Sequence, residues 1–297
     1  MLSLHTNAAA LSAQNSITRT QDNLSTSMTR LSTGYRINSA MDDAAGLQIA
    51  TRLKAQTSGM AVAMRNTQNS ISMMQTAEGA LDETTNILVR MKDLATQSAD
   101  GSSTDDDRTA MQSEFDALTM ELSNILSNTS FGGTTLLSTK ADSKFNAKVT
   151  FQIGSSKSET MDVDLTATGD NSLVDMHADI LAAAANYKSD GTATAATGTE
   201  IATSTAANTN IDTLKTAIDS VAKTRSALGA ASNRLDHVYN NLSNISTNTK
   251  NATGRIMDVD FASESASMTA SQMLLQAGTA MLKQSNSQSS LVLSLLQ

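Results

Sequence analysis

Apolar residues recur along most of this chain with the period of a helix. Ile17, Leu24, Met28, Leu31 and Tyr35 follow one another at steps of seven, four, three and four, which predicts a single helical stripe. Gly34 interrupts it, and Ser39-Ala-Met-Asp42 reads as a capping box that opens a second helix. There Leu53, Met60, Thr67, Met74, Leu81 and Leu88 recur every seven residues, with Met64 and Ile71 widening the stripe. Asp100-Gly101 should end that helix. Asp105, Asp106 and Asp107 place negative charge where the dipole of a third helix favours it. Met111, Phe115, Leu118, Leu122 and Ile125 continue that third helix, and Phe131-Gly132-Gly133 closes it.

Late in the chain Ile211, Leu214, Ile218, Val221, Arg225, Leu228, Ser232, Leu235, Tyr239 and Leu242 alternate steps of three and four. That unbroken run is a coiled-coil signature. Met268, Leu275 and Leu282 carry a last helix toward the terminus. Only the middle reads differently. Phe145 to Ile153 and Met161 to Leu165 alternate apolar and polar residues around a Gly154-Ser-Ser-Lys turn, which predicts a β-hairpin. Residues 186–208 form a low-complexity Ala/Thr/Gly/Asn/Ser tract with little to bury, expected to be a surface insertion. The expected fold class is therefore mainly α: a long helical coiled-coil rod formed by the N- and C-terminal halves, with a small β-hairpin element and a short variable insert.

Composition sharpens this picture. Among 297 residues there is no proline, no cysteine and no tryptophan. An average chain of this length carries about 15 prolines, and their absence suits long uninterrupted helices. Without cysteine there is no disulfide framework, thiolate metal site or cysteine nucleophile. A net charge of −8 with eight aromatic rings is a poor basis for nucleic-acid binding. The most apolar stretch, 291–296, is too short to span a bilayer. The first residues lack the basic and apolar regions of a cleavable signal peptide. Residues 1–18 contain no Asp, Glu, Lys or Arg, and 262–297 contain only Glu264 and Lys283. Ends so poor in charge, with narrow apolar seams, need each other or neighbouring molecules to be stable.

Candidate chemistry is sparse. His5, His177 and His237 are far apart, and none stands in the His-Glu-x-x-His spacing that puts two zinc ligands on one helical face. Asp105 to Asp107 lack the alternation and distal glutamate of a calcium loop, and read as a solvated helix start. Asp42-Asp43 complements a helix dipole better than it makes an acid–base pair. Gly132-Gly133 lacks the Lys-Ser/Thr sequel of a phosphate loop and is a turn. Met28, Met60, Met64, Met74 and Met111 sit on apolar stripes, so packing explains them and no metal or haem role is required. No cofactor is expected, and no enzymatic activity.

Longer motifs carry a resemblance. Arg30-Leu-Ser-Thr-Gly34-Tyr-Arg36-Ile-Asn38-Ser-Ala-Met-Asp42-Asp43-Ala-Ala-Gly46 resembles the N-terminal signature of bacterial flagellin. Thr76-Ala-Glu78-Gly79 and Asp93-Leu94-Ala95-Thr-Gln97 extend the likeness. At the other end Arg255-Ile-Met-Asp258-Val-Asp260-Phe261, Gln276-Ala277-Gly278 and Val292-Leu293-Ser294-Leu295-Leu296 resemble its C-terminal signature. The resemblance implies a structural subunit that polymerises into a flagellar filament for motility. It implies a terminal coiled-coil domain (here 1–44 and 257–297), a helical rod with β-hairpin (45–170 and 208–256) and a short variable surface insert (171–207). It also implies export unfolded through the flagellar type III apparatus and an extracellular location in the filament. Its partners would be copies of itself, an export chaperone, cap and hook-junction proteins, and the animal Toll-like receptor, with no nucleic acid and no membrane insertion.

Two surfaces follow from the resemblance. Arg90, Leu94 and Glu114 match the receptor-recognised surface, which also packs between subunits. Leu118 departs from the basic residue that many receptor-active flagellins place there. The polymerisation seam would comprise Leu24, Met28, Leu31, Leu275, Leu282, Leu291, Leu293, Leu295 and Leu296. Rival readings are a hook–filament junction protein, which shares similar termini, and a secreted enzyme on a helical rod, which needs a catalytic cluster. A chemoreceptor signalling domain would need a membrane anchor.

Overall fold

A computed structural model describes residues 7–166, 172–192 and 197–295, with side chains as far as Ser287. Its elements run α1 (Ala8–Thr33), α2 (Ala44–Ala99), α3 (Asp105–Asn128), β1 (Ser130–Phe131), β2 (Thr134–Thr135), β3 (Val149–Gln152), β4 (Thr160–Val163), α4 (Leu173–Ala183), α5 (Ser204–Met257) and α6 (Phe261–Leu295). The fold is mainly helical, with two small antiparallel hairpins. It divides into two compact units, one from 1–58 with 246–297 and one from 59–245. That division falls inside α2 and α5. The reason is burial along α2. From Met60 onward its stripe is fully enclosed, whereas only Gly46 and Ala50 are buried between 44 and 58.

In the 59–245 unit the core is organised by heptads. On α2 the large residues Met60, Met74, Leu81 and Leu88 alternate with Ala63, Ser70, Ala77 and Thr84, and all are buried. The α5 stripe shows the same alternation. Leu214, Val221, Leu228 and Leu235 are buried as the spacing predicts, but their companions are Ala217, Thr224 and Ala231. Ile211, Ile218, Arg225, Ser232 and Tyr239, expected in the seam, lie one position aside and are only partly buried. Small residues win the centre because they let two backbones approach, and the larger neighbours then fill the flanks. Arg225 instead bonds Glu78 and Asp82 of α2, both at 2.8 Å. Buried hydroxyls in the seam are satisfied locally: Thr67, Thr84 and Thr224 each donate to the carbonyl four residues earlier.

Helix α3 begins on a capping box, in which Thr104 accepts from the Asp107 amide and Asp107 accepts in return. Its core face holds Met111, Phe115, Leu122 and Leu126, while Leu118 and Ile125 are partly buried. A second buried face is polar, with Gln112, Thr119 and Ser123. The cause is the segment expected to be a surface insert. Residues 184–192 and 197–203 lie along α3, with the Lys188 amide on Ser123 Oγ at 3.2 Å, the Gly198 amide on Asp116 at 3.0 Å and the Ile201 amide on the Gln112 side-chain Oε1 at 2.8 Å. Tyr187 and Ile201 are buried in the core. The expectation of little burial is thus corrected, because a few apolar side chains anchor a strap whose backbone groups are paired by α3.

The β elements close the same core. Gly132 and Gly133, both at positive φ, make the tight turn between β1 and β2. Strands β3 and β4 pair Val149 with Val163 and Phe151 with Met161. The alternation suggested a strand from Phe145, but Phe145 sits in a short 3-10 turn and is buried there. On the buried face of α4, His177 donates from Nε2 to the Leu137 carbonyl at 2.7 Å, which leaves Nδ1 to accept from the Tyr187 hydroxyl. Burial holds this imidazole neutral, with a pKa pushed down to about 4, and pushes the Tyr187 hydroxyl up.

A folded pKa below the unfolded value of about 6.5 means that the unfolded chain binds the extra proton first as pH falls. Stability from His177 is therefore present at neutral pH and lost between roughly pH 6.5 and 4, on the order of 3 kcal/mol. The His177→Gln variant should show a flatter fall in thermal midpoint between pH 7 and 4.5 than the unaltered protein. Parallel slopes would remove His177 from the acid response.

Candidate functional site

The terminal unit is built on an antiparallel pair, α1 against α6. Positions facing the partner on α1 are Ala13, Ile17, Thr20, Leu24, Ser27 and Leu31, and on α6 Met268, Ser271, Leu275, Gly278 and Leu282. Both series step by three and four, and both alternate one large residue with one small. The approach is close at Gly278, where a Cβ would stand 2.9 Å from Ile17 Cγ1. One end is pinned by Asn7, which caps α1 and whose amide donates to Ser285 Oγ at 3.2 Å. Arg30 pairs with Glu264 at 3.7 Å near the other end.

The break after α1 explains most of the N-terminal motif. Gly34, at φ 77°, caps α1 with its amide on the Arg30 carbonyl. Backbone bonds then join Arg36 to Met257 at 2.6 Å and Val259 to Gly34 at 3.0 Å. The Arg36 guanidinium donates to the Ile256 carbonyl. Ser39-to-Asp42 is not the cap of α2: Asp42 closes its own loop by accepting from the Asn38 and Ser39 amides. Those amides, that of Ser39 first, hold its carboxyl below the usual carboxylate range. The cap of α2 is Asp43, which accepts from the Gly46 amide. Any Cβ on Gly46 would meet Asp43 and Ile37.

The sequence-expected seam is thus divided by the structure. Leu24, Leu31, Leu275 and Leu282 are partly buried within the pair of one chain. Met28 is largely exposed, on a shallow groove of about 590 Å³ shared with Leu24 and Leu275, and is not a core methionine. A stripe packed on only one neighbour stays open at its edge. Leu291, Leu293 and Leu295 lie where no side chains are described, and Leu296 lies outside the described residues. Exposed Leu11, Met273, Leu274 and Met281 were missed by sequence reasoning. They stand outside the regular seam, and only their density on a nearly uncharged helix hints at them.

On the second unit, Arg90 of α2 and Glu114 of α3 meet through two hydrogen bonds, donated by Nε at 2.9 Å and Nη2 at 2.6 Å to the same Oε1 of Glu114. Both are about half exposed, so the pair contributes less than about 1 kcal/mol to stability. Leu94 is not on this surface: it is 2 % exposed and belongs to the core stripe with Leu88, Met91 and Ala95. Around this level α2 serves a core shared with α3 and α5, so its apolar arc widens to take in Leu94 and Ile87. Among the described residues no group of three His, Cys, Asp or Glu could hold a metal ion, and no helix is long and apolar enough to cross a membrane.

Comparison with known proteins is consistent along the chain. Residues 4–142 match the family model "Bacterial flagellin N-terminal helical region", and 211–296 match "Bacterial flagellin C-terminal helical region". Flagellin C of Vibrio cholerae serotype O1 is 34% identical over 374 aligned residues, covering 99% of both chains. Polar flagellin F of Vibrio parahaemolyticus is 36% identical over 379, again with 99% of each covered. Those alignments are longer than this chain, so the relatives carry residues without a counterpart here. A putative flagellar hook-associated protein from Vibrio parahaemolyticus shares the fold, at TM-score 0.55 and 18% identity over 73% of this chain and all of its own.

The Gly278 contact makes a prediction that separates it from an ordinary helical glycine. Gly278→Ala should loosen α1 from α6, seen as faster amide exchange along α1. Gly79→Ala, where a Cβ meets nothing, should stabilise the 59–245 unit by about 0.8–1 kcal/mol. Unchanged exchange along α1 in Gly278→Ala would show that the pair does not depend on this close approach.

Proposed function

The chain belongs to the bacterial flagellin family and is a structural subunit of the flagellar filament, and we propose that it polymerises through the open faces of its terminal helices. The observation that carries this is the exposure of large apolar residues on α1 and α6: Leu11, Met28, Met273, Leu274 and Met281. A pair of helices with nearly uncharged surfaces gains by covering them, and the homopolymer offers the cover. The described part of the seam then acts twice. Leu24, Leu31, Leu275 and Leu282 hold α1 to α6 within a chain, and Met28 with the outer α6 residues meets other copies. The role is structural, without catalysis.

Further partners on this reading are an export chaperone on the C-terminal segment, the cap protein and the hook-junction proteins. Export is through the flagellar type III apparatus, to an extracellular filament. Recognition by an animal Toll-like receptor would use Arg90 and Glu114, with Leu94 supporting them from beneath.

Seeded growth followed by electron microscopy tests assembly: filaments of uniform diameter are expected, and persistent monomers would refute it. Deleting Leu291 to Gln297 removes five apolar side chains. Allowing for partial exposure and the ordering of a chain end, that loss is about 3–5 kcal/mol, so the critical concentration should rise at least roughly a hundredfold. The thermal transition of the 59–245 unit should be unchanged. For the receptor, Arg90→Ala should reduce signalling by soluble monomer more than Lys92→Ala, since an arginine anchor typically costs about 2 kcal/mol or more on truncation. Equal loss in the two variants would move the receptor surface elsewhere.

A further inference from the structure

The most exposed methionines lie in the terminal unit, in a way that packing alone does not require. In the 59–245 unit Met60, Met74, Met91, Met161 and Met176 are sealed in the core, and Met120 on α3 is 39% exposed. In the terminal unit Met28, Met41, Met273 and Met281 are 56%, 96%, 60% and 69% exposed. With no cysteine in the chain, thioethers are its only sulfur. Thioether oxidation follows access to the sulfur, so the exposed residues are open to it, the four of the terminal unit most of all, and the core methionines are not.

We propose that Met28, Met273 and Met281 form an oxidant-sensitive site that controls addition of the subunit to the filament. The oxidant class is a peroxide, with hydrogen peroxide the simplest member. The sulfur lone pair attacks one peroxide oxygen, the O–O bond breaks, and the departing hydroxide takes the remaining proton and leaves as water. Sulfur is oxidised by two electrons and the peroxide reduced by two. The product is a sulfoxide, polar and a strong hydrogen-bond acceptor. Met28 borders the groove of Leu24 and Leu275, and Met281 follows Leu274 by seven residues on α6. On the assembly reading above, on which this proposal rests, those faces are covered by other copies. Each sulfoxide then has to give up its water and fit its added oxygen into a contact shaped for a thioether, which weakens the contact while the fold of 59–245 is untouched.

The test uses full-length protein, as monomer and as filament, treated with dilute hydrogen peroxide and mapped by mass spectrometry at each methionine. In the monomer Met28, Met41, Met273 and Met281 should oxidise, Met120 more slowly, and Met74, Met91 and Met176 should not. In filaments Met28, Met273 and Met281 should react at least about tenfold more slowly. Oxidised monomer should need about tenfold or more protein to assemble, with its thermal transition unchanged. Treatment with methionine sulfoxide reductases should restore assembly. A variant carrying Met28→Leu, Met273→Leu and Met281→Leu should assemble with or without peroxide. Oxidised monomer that assembles at the normal concentration, although filaments protect these residues, overturns the oxidant control and leaves the assembly reading standing. Equal oxidation in monomer and filament overturns the placement of these residues in subunit contacts, and the assembly reading with it. Failure of the reductases to restore growth also overturns the proposal, whatever the Leu variant does.

Discussion

Everything in this molecule depends on how closely two helices can be brought together. Its long helices do not interlock through leucines alone. Each seam sets a large side chain beside a small one: Met74 and Leu81 with Ala77 on α2 and Leu228 with Ala231 on α5, all buried, and the partly buried Leu275 with Gly278 on α6. Small positions admit the neighbouring backbone, and dispersion contacts accumulate over the resulting short distance. The same rule explains why threonine and serine are acceptable there. A hydroxyl that bonds its own helix needs no room and no partner across the seam.

Much of the helical architecture was legible because a heptad repeat in a proline-free chain has few other readings. The end of α2 at Ala99, the start of α3 at Asp105 and the Gly132-Gly133 turn all carried local chemistry that acts over four residues or fewer. The centre of the α5 stripe was not legible. Ile218 outranks Ala217 on any hydrophobicity scale, yet the alanine takes the seam, since closeness there outweighs apolar area. The strap along α3 was hidden for a related reason. Its composition resembles a loop, and the signal for its burial lies elsewhere, in the polar Gln112, Thr119 and Ser123 on a helix that already had an apolar face.

For the candidate surfaces, sequence placed Arg90 and Glu114 on separate helices, and the fold joins them. Leu94 went the other way. Helical spacing put it next to Arg90, and nothing in spacing says how wide an apolar arc must be when a helix serves a core shared with more than one neighbour. The terminal pair shows the opposite limit. With a single neighbour, α1 encloses only a narrow strip, and residues such as Met28 that look like core by periodicity stay open. Burial here is set by the number of neighbours more than by the residue itself.

The joint at 34–36 and 257–259 has a consequence for how the terminal helices can vary. Its backbone bonds tie the end of α1 to the start of α6, so both helices are counted outward from one fixed mark. Adding a single residue to α1 would rotate everything beyond the insertion by about 100° and take Ile17 away from Gly278. Adding seven would nearly preserve the facing and only lengthen the pair. The joint makes the terminal pair a ruler graduated in heptads, in which length can drift by whole graduations while single-residue changes are read as errors of phase.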